Sequence, residues 1–229
     1  MKKYADYIRE VEIAELWRGR KHILWKLDPE VNVLSGTNGI GKSTILRRMA
    51  SGVRSLDSNG EDGITIRVYP DDAELLRYDV ITTPDVRSEF DENLEALQKR
   101  VENYEHGERW ATFCDIVDEM FSATSKTIVR DAKRVELCQW DEPLHLHLLS
   151  SGEKQLLVIL MTVMLEDGNS TTLFMDEPEV SLHMEWQQTL IEKIRRLNPK
   201  VQIILSTHSP AIIMNGWMDK VTEVTDITL

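Results

Sequence analysis

An α/β fold with a mainly parallel central sheet flanked by helices is predicted by three stretches of the sequence. Val31-Asn32-Val33-Leu34 is a β-branched, apolar run that delivers the chain into Gly36-Thr37-Asn38-Gly39-Ile40-Gly41-Lys42-Ser43-Thr44. Thr172 to Met175 is an apolar run that ends in Asp176-Glu177-Pro178, and Val201 to Leu205 is another, ending in Ser206-Thr207-His208-Ser209-Pro210. With 229 residues, 41% of them hydrophobic, the chain has material for one sizeable core. The expected organisation is a single domain, 1–229, with a helical arm or lid inserted at about 85–125.

Taken in order, Tyr7 to Leu16 places Ile8, Val11, Ile13 and Leu16 among acids and reads as a strand. Trp17-Arg18-Gly19-Arg20 makes a turn, and His22 to Leu27 reads as a second strand ended by Asp28-Pro29. The two form an antiparallel N-terminal β layer at one edge of the site. Trp17, Arg18 or Trp25 could stack there on a nucleotide base, or simply be structural.

The segment 36–43 reads Gly-x-x-x-x-Gly-Lys-Ser, the spacing of a phosphate-binding loop. Glycines let such a loop turn its amides inward, and the following helix adds the positive end of its dipole. Asn38, Gly39, Gly41, Lys42, Ser43 and Thr44 are therefore the nucleotide-binding candidates. Lys42 would reach the terminal phosphates, and the Ser43 hydroxyl would hold Mg2+. Ile45, Leu46 and Met49 fall at helical spacing behind it.

Ser51 to Asp62 has loop composition; Gly63 to Tyr69 and Tyr78 to Thr82 read as strands, and Pro84 marks a break. Phe90, Leu94, Leu97 and Val101 form the narrow apolar stripe of one helix, and Trp110, Phe113, Val117 and Phe121 the stripe of a second. These two stripes are expected to pack on each other, with a partner-binding groove as the alternative. Arg134 to Trp140 reads as a strand. Leu144 to Leu148 alternates, which would point His145 and His147 the same way, with no third metal ligand nearby.

Ser150 and Glu153 stand at capping-box spacing before an apolar helix that runs to Leu165. The acids after Met175 occupy the place where α/β folds carry catalytic groups: Asp176 would complete the magnesium shell, and Glu177 would take a proton from the attacking water. Leu182, Trp186, Leu190, Ile194 and Leu197 predict an amphipathic helix stopped by Asn198-Pro199. His208, at the end of the next strand, is placed to sense the terminal phosphate or hold the water. A short helix from Ala211 and one or two closing strands over 220–228 complete the chain.

The charge of −12 argues against a generally basic nucleic-acid surface. DNA therefore stays possible without being indicated, with Arg47, Arg48, Lys133 and Arg134 as the best local patch. Cys114 and Cys138 lie far apart with no ligand spacing and read as small hydrophobes of a reducing cytoplasm. No apolar run approaches the roughly eighteen residues of a membrane span, and the N-terminus breaks into charges, so a cytoplasmic protein without membrane insertion is expected.

In this order the motifs resemble those of ABC-type ATPases. Gly36–Thr44 looks like a Walker A loop, and Leu149-Ser150-Ser151-Gly152-Glu153 resembles the LSGGQ-type signature. Leu173–Glu177 resembles Walker B with its catalytic glutamate, and His208 looks like the switch histidine. Asp176 to His183 and Ser206 to Pro210 are similar to the RecF, SMC and OLD-like branch, grouped with AAA-type proteins of bacterial defence and DNA metabolism. Ser151 stands where the signature has Gly, and Met184 where the branch often has Pro.

The resemblance implies an ABC-ATPase type of P-loop fold, ATP and Mg2+ as cofactors, and a head-to-tail homodimer closed by ATP. Ser150, Ser151, Gly152 and Glu153 would meet the phosphate of the opposite copy. It further implies a regulatory ATPase controlling a separate effector, a nuclease or toxin, in anti-phage defence or DNA maintenance. The alternatives are a transport ATPase subunit on a membrane permease and an ATP-gated DNA clamp.

Overall fold

The computed structural model describes residues 2–17, 19–54, 63–82 and 87–229. Arg18, positions 55–62 of the expected loop and Pro84 lie outside the described residues. In chain order the elements are β1 (Tyr7–Leu16), β2 (Lys21–Lys26), β3 (Val31–Ser35), α1 (Lys42–Arg54), β4 (Ile64–Tyr69) and β5 (Tyr78–Thr82). Then come α2 (Arg87–Val101), α3 (Glu108–Phe121), β6 (Lys126–Ile128), β7 (Leu137–Gln139), β8 (Glu142–Leu144) and α4 (Ser151–Leu165). Last are β9 (Thr171–Asp176), α5 (Met184–Leu197), β10 (Val201–Ser206), α6 (Pro210–Ile213) and β11 (Val221–Glu223). The chain divides into two compact units, one of Met1–Thr82, Asn169–Pro178 and Lys200–Leu229, the other of Thr83–Gly168 and Glu179–Pro199.

The first unit holds two sheets. One is antiparallel in the order β2-β1-β4, and the other is parallel throughout in the order β11-β3-β10-β9-β5. Alternation along β1 buries Val11 and Ile13 on one face, and a register shift against β4 between Ile8 and Glu10 separates them from the buried Ile8. The centre of the parallel sheet is buried without alternation, as strands covered on both faces are: Val31, Val33 and Leu34 of β3 and Ile203, Ile204 and Leu205 of β10 are fully enclosed. α1 packs against β4 of one sheet and β5, β9 and β10 of the other.

One buried side chain ties these layers. The Gln202 amide donates to the carbonyls of Ile8 (2.8 Å) and Asp28 (2.9 Å). Its oxygen accepts from the Ile8 N–H (2.9 Å) and the Thr172 hydroxyl (3.1 Å). All four bonds are made inside the fold, so a polar residue sits in the core without desolvation loss.

The second unit is mainly helical. The stripes of α2 (Phe90, Leu94, Leu97, Val101) and α3 (Trp110, Phe113, Val117, Phe121) are buried. They are not simply each other's partners, as the spacing had suggested: α2 lies along α4, and α3 packs on α4 and α5. α4 is apolar almost all round, so it needs helices on several sides. The small antiparallel sheet β6-β7-β8 completes the unit.

The expected strand over Arg134 to Trp140 is realised as Leu137–Gln139, because Trp140 and Asp141 both take left-handed backbone angles and turn the chain into β8. The strand expected through His145 and His147 is not formed. Hydrogen bonds from Leu148 N to His145 O (3.0 Å) and Leu149 N to Leu146 O (3.1 Å) wind 146–148 into a 3-10 turn. The two imidazoles stack with centroids 5.4 Å apart, and among the described residues no group of three or more potential ligands gathers around a metal.

Candidate functional site

Three strand ends of the first unit converge on a cleft of about 770 Å³. It is lined by Trp17, by Asn38, Gly39 and Gly41–Thr44 of the glycine-rich loop, and by Glu177 and His208. Parallel pairing explains the convergence. Ser206 at the end of β10 is opposite Leu34 of β3 on one side and Asp176 of β9 on the other, so all three chains leave the sheet at one level.

The loop requires its glycines. Gly39 and Gly41 have φ of +77° and +111°, which side chains disfavour. A Cβ on Gly41 would also fall 2.4 Å from the Trp17 ring. Trp17 thus lies directly on the phosphate loop at the cleft wall, whereas Trp25 is buried in the core and is removed as a stacking candidate.

The polar groups form one chain of contacts. Lys42, 5% exposed, donates to Gly36 O (3.0 Å) and places its Nζ 2.6 Å from His208 Nε2. Glu177 Oε1 approaches the same Nε2 to 3.4 Å. Asp176 Oδ1 accepts from the hydroxyls of Ser43 (2.9 Å) and Ser206 (2.6 Å), while Arg47 reaches within 3.9 Å of Oδ2. Glu177 sits at φ +48°, a left-handed conformation uncommon outside glycine, and its N–H is held by Ser206 O (3.1 Å).

This donor set fits ATP and Mg2+. Inward-turned glycine backbone, a buried lysine and a helix start at Lys42 suit a polyphosphate. A hydroxyl and a carboxylate oxygen 2.9 Å apart are hard donors suited to magnesium. Lys42 and the loop would carry the phosphates, Ser43 and Asp176 the metal, and Glu177 is close enough to His208 for the two to share a water.

Ser150, Ser151, Gly152 and Glu153 belong to the second unit and form a closed local network there. The capping box is present: Ser150 Oγ accepts from Glu153 N (3.3 Å), and Glu153 Oε2 accepts from Ser150 N (2.8 Å) and from Ser150 Oγ (3.0 Å). Lys126 of β6 grips the other carboxylate oxygen at 2.6 Å. Burial pushes the Glu153 carboxyl up, but Lys126 and the two Ser150 donors outweigh it and hold it below the usual range. Lys154, fully buried, is paired with Asp91 of α2 at 2.5 Å.

The motifs included Ser206 without giving it a role, and did not point to Lys126 or Asp91. Ser206 and Asp176 fall at the same position relative to their strand ends, and that is the one signal that could have paired them. Lys126 and Asp91 are distant from α4 in sequence, and only the tertiary fold brings them to their ion pairs with Glu153 and Lys154. Of the proposed basic patch, Arg47 faces Asp176 and Arg134 is ion-paired with Glu102. Among the described residues no helix is long and apolar enough to cross a membrane.

Residues 140–215 match the family described as an AAA domain, putative AbiEii toxin, type IV TA system. Over 90 residues the chain is 29% identical to a retron Vc95 probable ATPase of Vibrio cholerae serotype O1 biovar El Tor. That alignment covers 34% of this chain and 18% of the relative's length. Among solved structures, an SMC head bound to the C-winged helix domain of ScpA superposes with a TM-score of 0.62 at 13% identity, covering 91% of this chain and 92% of that one. The SMC head domain from Thermotoga maritima gives 0.59 at 15% identity over 95% and 94% of the two chains. A putative ABC transporter ATP-binding protein from Pyrococcus furiosus gives 0.55 at 13% identity over 96% and 100%. At such identities these structures share the fold.

Proposed function

We propose that this chain, whose residues 140–215 match an AAA-domain family and whose fold is that of ABC and SMC heads, binds and hydrolyses Mg2+–ATP to regulate a separate effector. The observation that carries the reading is the convergence of Lys42, Ser43, Asp176, Glu177 and His208 on one cleft. Lys42 and the loop amides hold the phosphates, and Ser43 and Asp176 hold the cation, which neutralises phosphate charge when bound. Glu177 takes the proton of the attacking water, and His208 positions that water against the carboxylate.

Ser150 to Glu153 would act on the nucleotide of a second copy. The positive end of the α4 helix dipole lies at Ser150 and would face that phosphate, so ATP would join two copies head to tail and hydrolysis would part them. The effector reading is supported by the relatives: the family description names a toxin system, and the curated relative is a retron ATPase.

The test is Glu177→Gln. Turnover is expected to fall on the order of 100-fold, as loss of a general base does, while an ATP-dependent dimer accumulates in light scattering. Hydrolysis at the parent rate would remove Glu177 from its role. Affinity purification of this variant with ATP then separates the partner classes: a soluble effector is expected, and a membrane permease or salt-sensitive DNA retention would overturn the effector reading.

A further inference from the structure

We propose that Ser206 is the positioning residue for both acids of the site, an inference that rests on the ATP reading above. Ser206 is fully buried at the end of β10 and directly opposite Asp176 in the parallel register. Its hydroxyl donates to Asp176 Oδ1 at 2.6 Å, the shortest of the hydrogen bonds on that carboxylate. The same oxygen lies 3.3 Å from the Glu177 N–H, which also meets the Ser206 carbonyl at 3.1 Å. One residue therefore links three groups in series: the Glu177 amide donates to Ser206, and Ser206 donates to Asp176.

Two features show why such a link is needed. Asp176 Oδ1 is shared with Ser43, and a Ser43 oxygen directed at a cation leaves Ser206 as the hydroxyl fixing the carboxylate. Glu177 holds a left-handed backbone at φ +48°, a conformation that persists only where neighbours over-determine it. The bonds from its N–H to Ser206 supply that restraint, so the direction in which the Glu177 side chain leaves the strand depends on β10 as well as on β9. Serine suits the position because a hydroxyl can accept from an amide and donate to a carboxylate at once.

The experiment compares Ser206→Ala and Ser206→Thr with the parent in steady-state hydrolysis and in equilibrium binding of a fluorescent ATP analogue across a Mg2+ titration. Ser206→Ala is expected to lower kcat by about 10- to 100-fold with little change in KM, the range of one hydrogen bond to a charged group. It should also raise the Mg2+ needed for half-maximal enhancement of analogue binding several-fold, while affinity in EDTA stays at the parent value. Ser206→Thr, which keeps the hydroxyl, should restore both. If the alanine variant does not fold, Ser206→Cys, nearly the same shape with a poor donor, takes its place with the same expectations.

Parent-like kcat and Mg2+ dependence in the variant lacking the hydroxyl would overturn the inference and leave the ATP reading intact. Equal impairment of a folded Ser206→Thr would overturn it as well. A parent chain with no Mg2+-dependent ATP binding would bring down both.

Discussion

Gly152 shows how a single atom can be excluded from the first turn of α4. A Cβ there would fall 2.1 Å from the Ser181 carbonyl oxygen, and a backbone atom cannot swing aside as a side chain can. Gly152→Ala must therefore push the start of α4 away from Ser181, costing about 1–3 kcal/mol as overpacking does. The expected outcome is a lower melting temperature together with lost activity, read by calorimetry and ATP turnover. Glu153 carries a pH-dependent counterpart. Its folded pKa is depressed below the ordinary 4.5, so its contribution to stability is complete above that value and is lost as pH falls through the folded pKa. Glu153→Gln should be less stable than the parent at neutral pH, and the gap should close in acid unfolding series below pH 4.5. A constant gap would show that the carboxylate's charge is not what matters.

At the scale of elements, Gln202 binds β10 to β1, to β9 and to the turn before β3. Gln202→Leu would keep the volume and leave the Ile8 N–H, the Ile8 and Asp28 carbonyls and the Thr172 hydroxyl to find new partners in the core. Each buried group left unpaired costs about 1–3 kcal/mol. The variant should therefore lose several kcal/mol in urea unfolding; a loss below 1 kcal/mol would mean that water or a neighbour replaces the amide.

Local pattern made much of this legible. Motifs confined to one stretch were readable because strand, turn and helix cap are fixed by neighbours in sequence: the 36–44 loop, the capping box at Ser150 and the acids after β9 are all of this kind. Where pairing across the chain decided, the reading stopped short. The apolar stripes of α2 and α3 said that something covers them, and only the packing of α4 between them says what. Alternation at Leu144 to Leu148 suggested one face for His145 and His147, but five residues are too few for a period of two to distinguish a strand from the 3-10 turn that forms. Ser206, in a run of small polar residues, carried no sign of its partner because the Asp176 contact exists only once β9 and β10 are in register.

For the molecule as a whole, the order of strands in the parallel sheet differs from their order in the chain. β10 lies between β3 and β9, pairing Ile203 with Val31 on one side and with Leu173 on the other. A chain stopped at Lys200 would contain the glycine-rich loop and both acids, yet it should show no ATP binding by fluorescence titration, since the strand that brings them to one level is missing. Binding at the affinity of the 229-residue chain would show that β3 and β9 can meet without it. The same arrangement bears on synthesis. While the protein is being made, β3 emerges well before its neighbour β10, and its apolar edge stays unmatched until the chain through Ser206 has followed. Val31, Val33 and Leu34, all buried in the finished fold, are open to other nascent chains through that interval. Yield at high expression should therefore depend on how well chaperones shield β3 until β10 arrives.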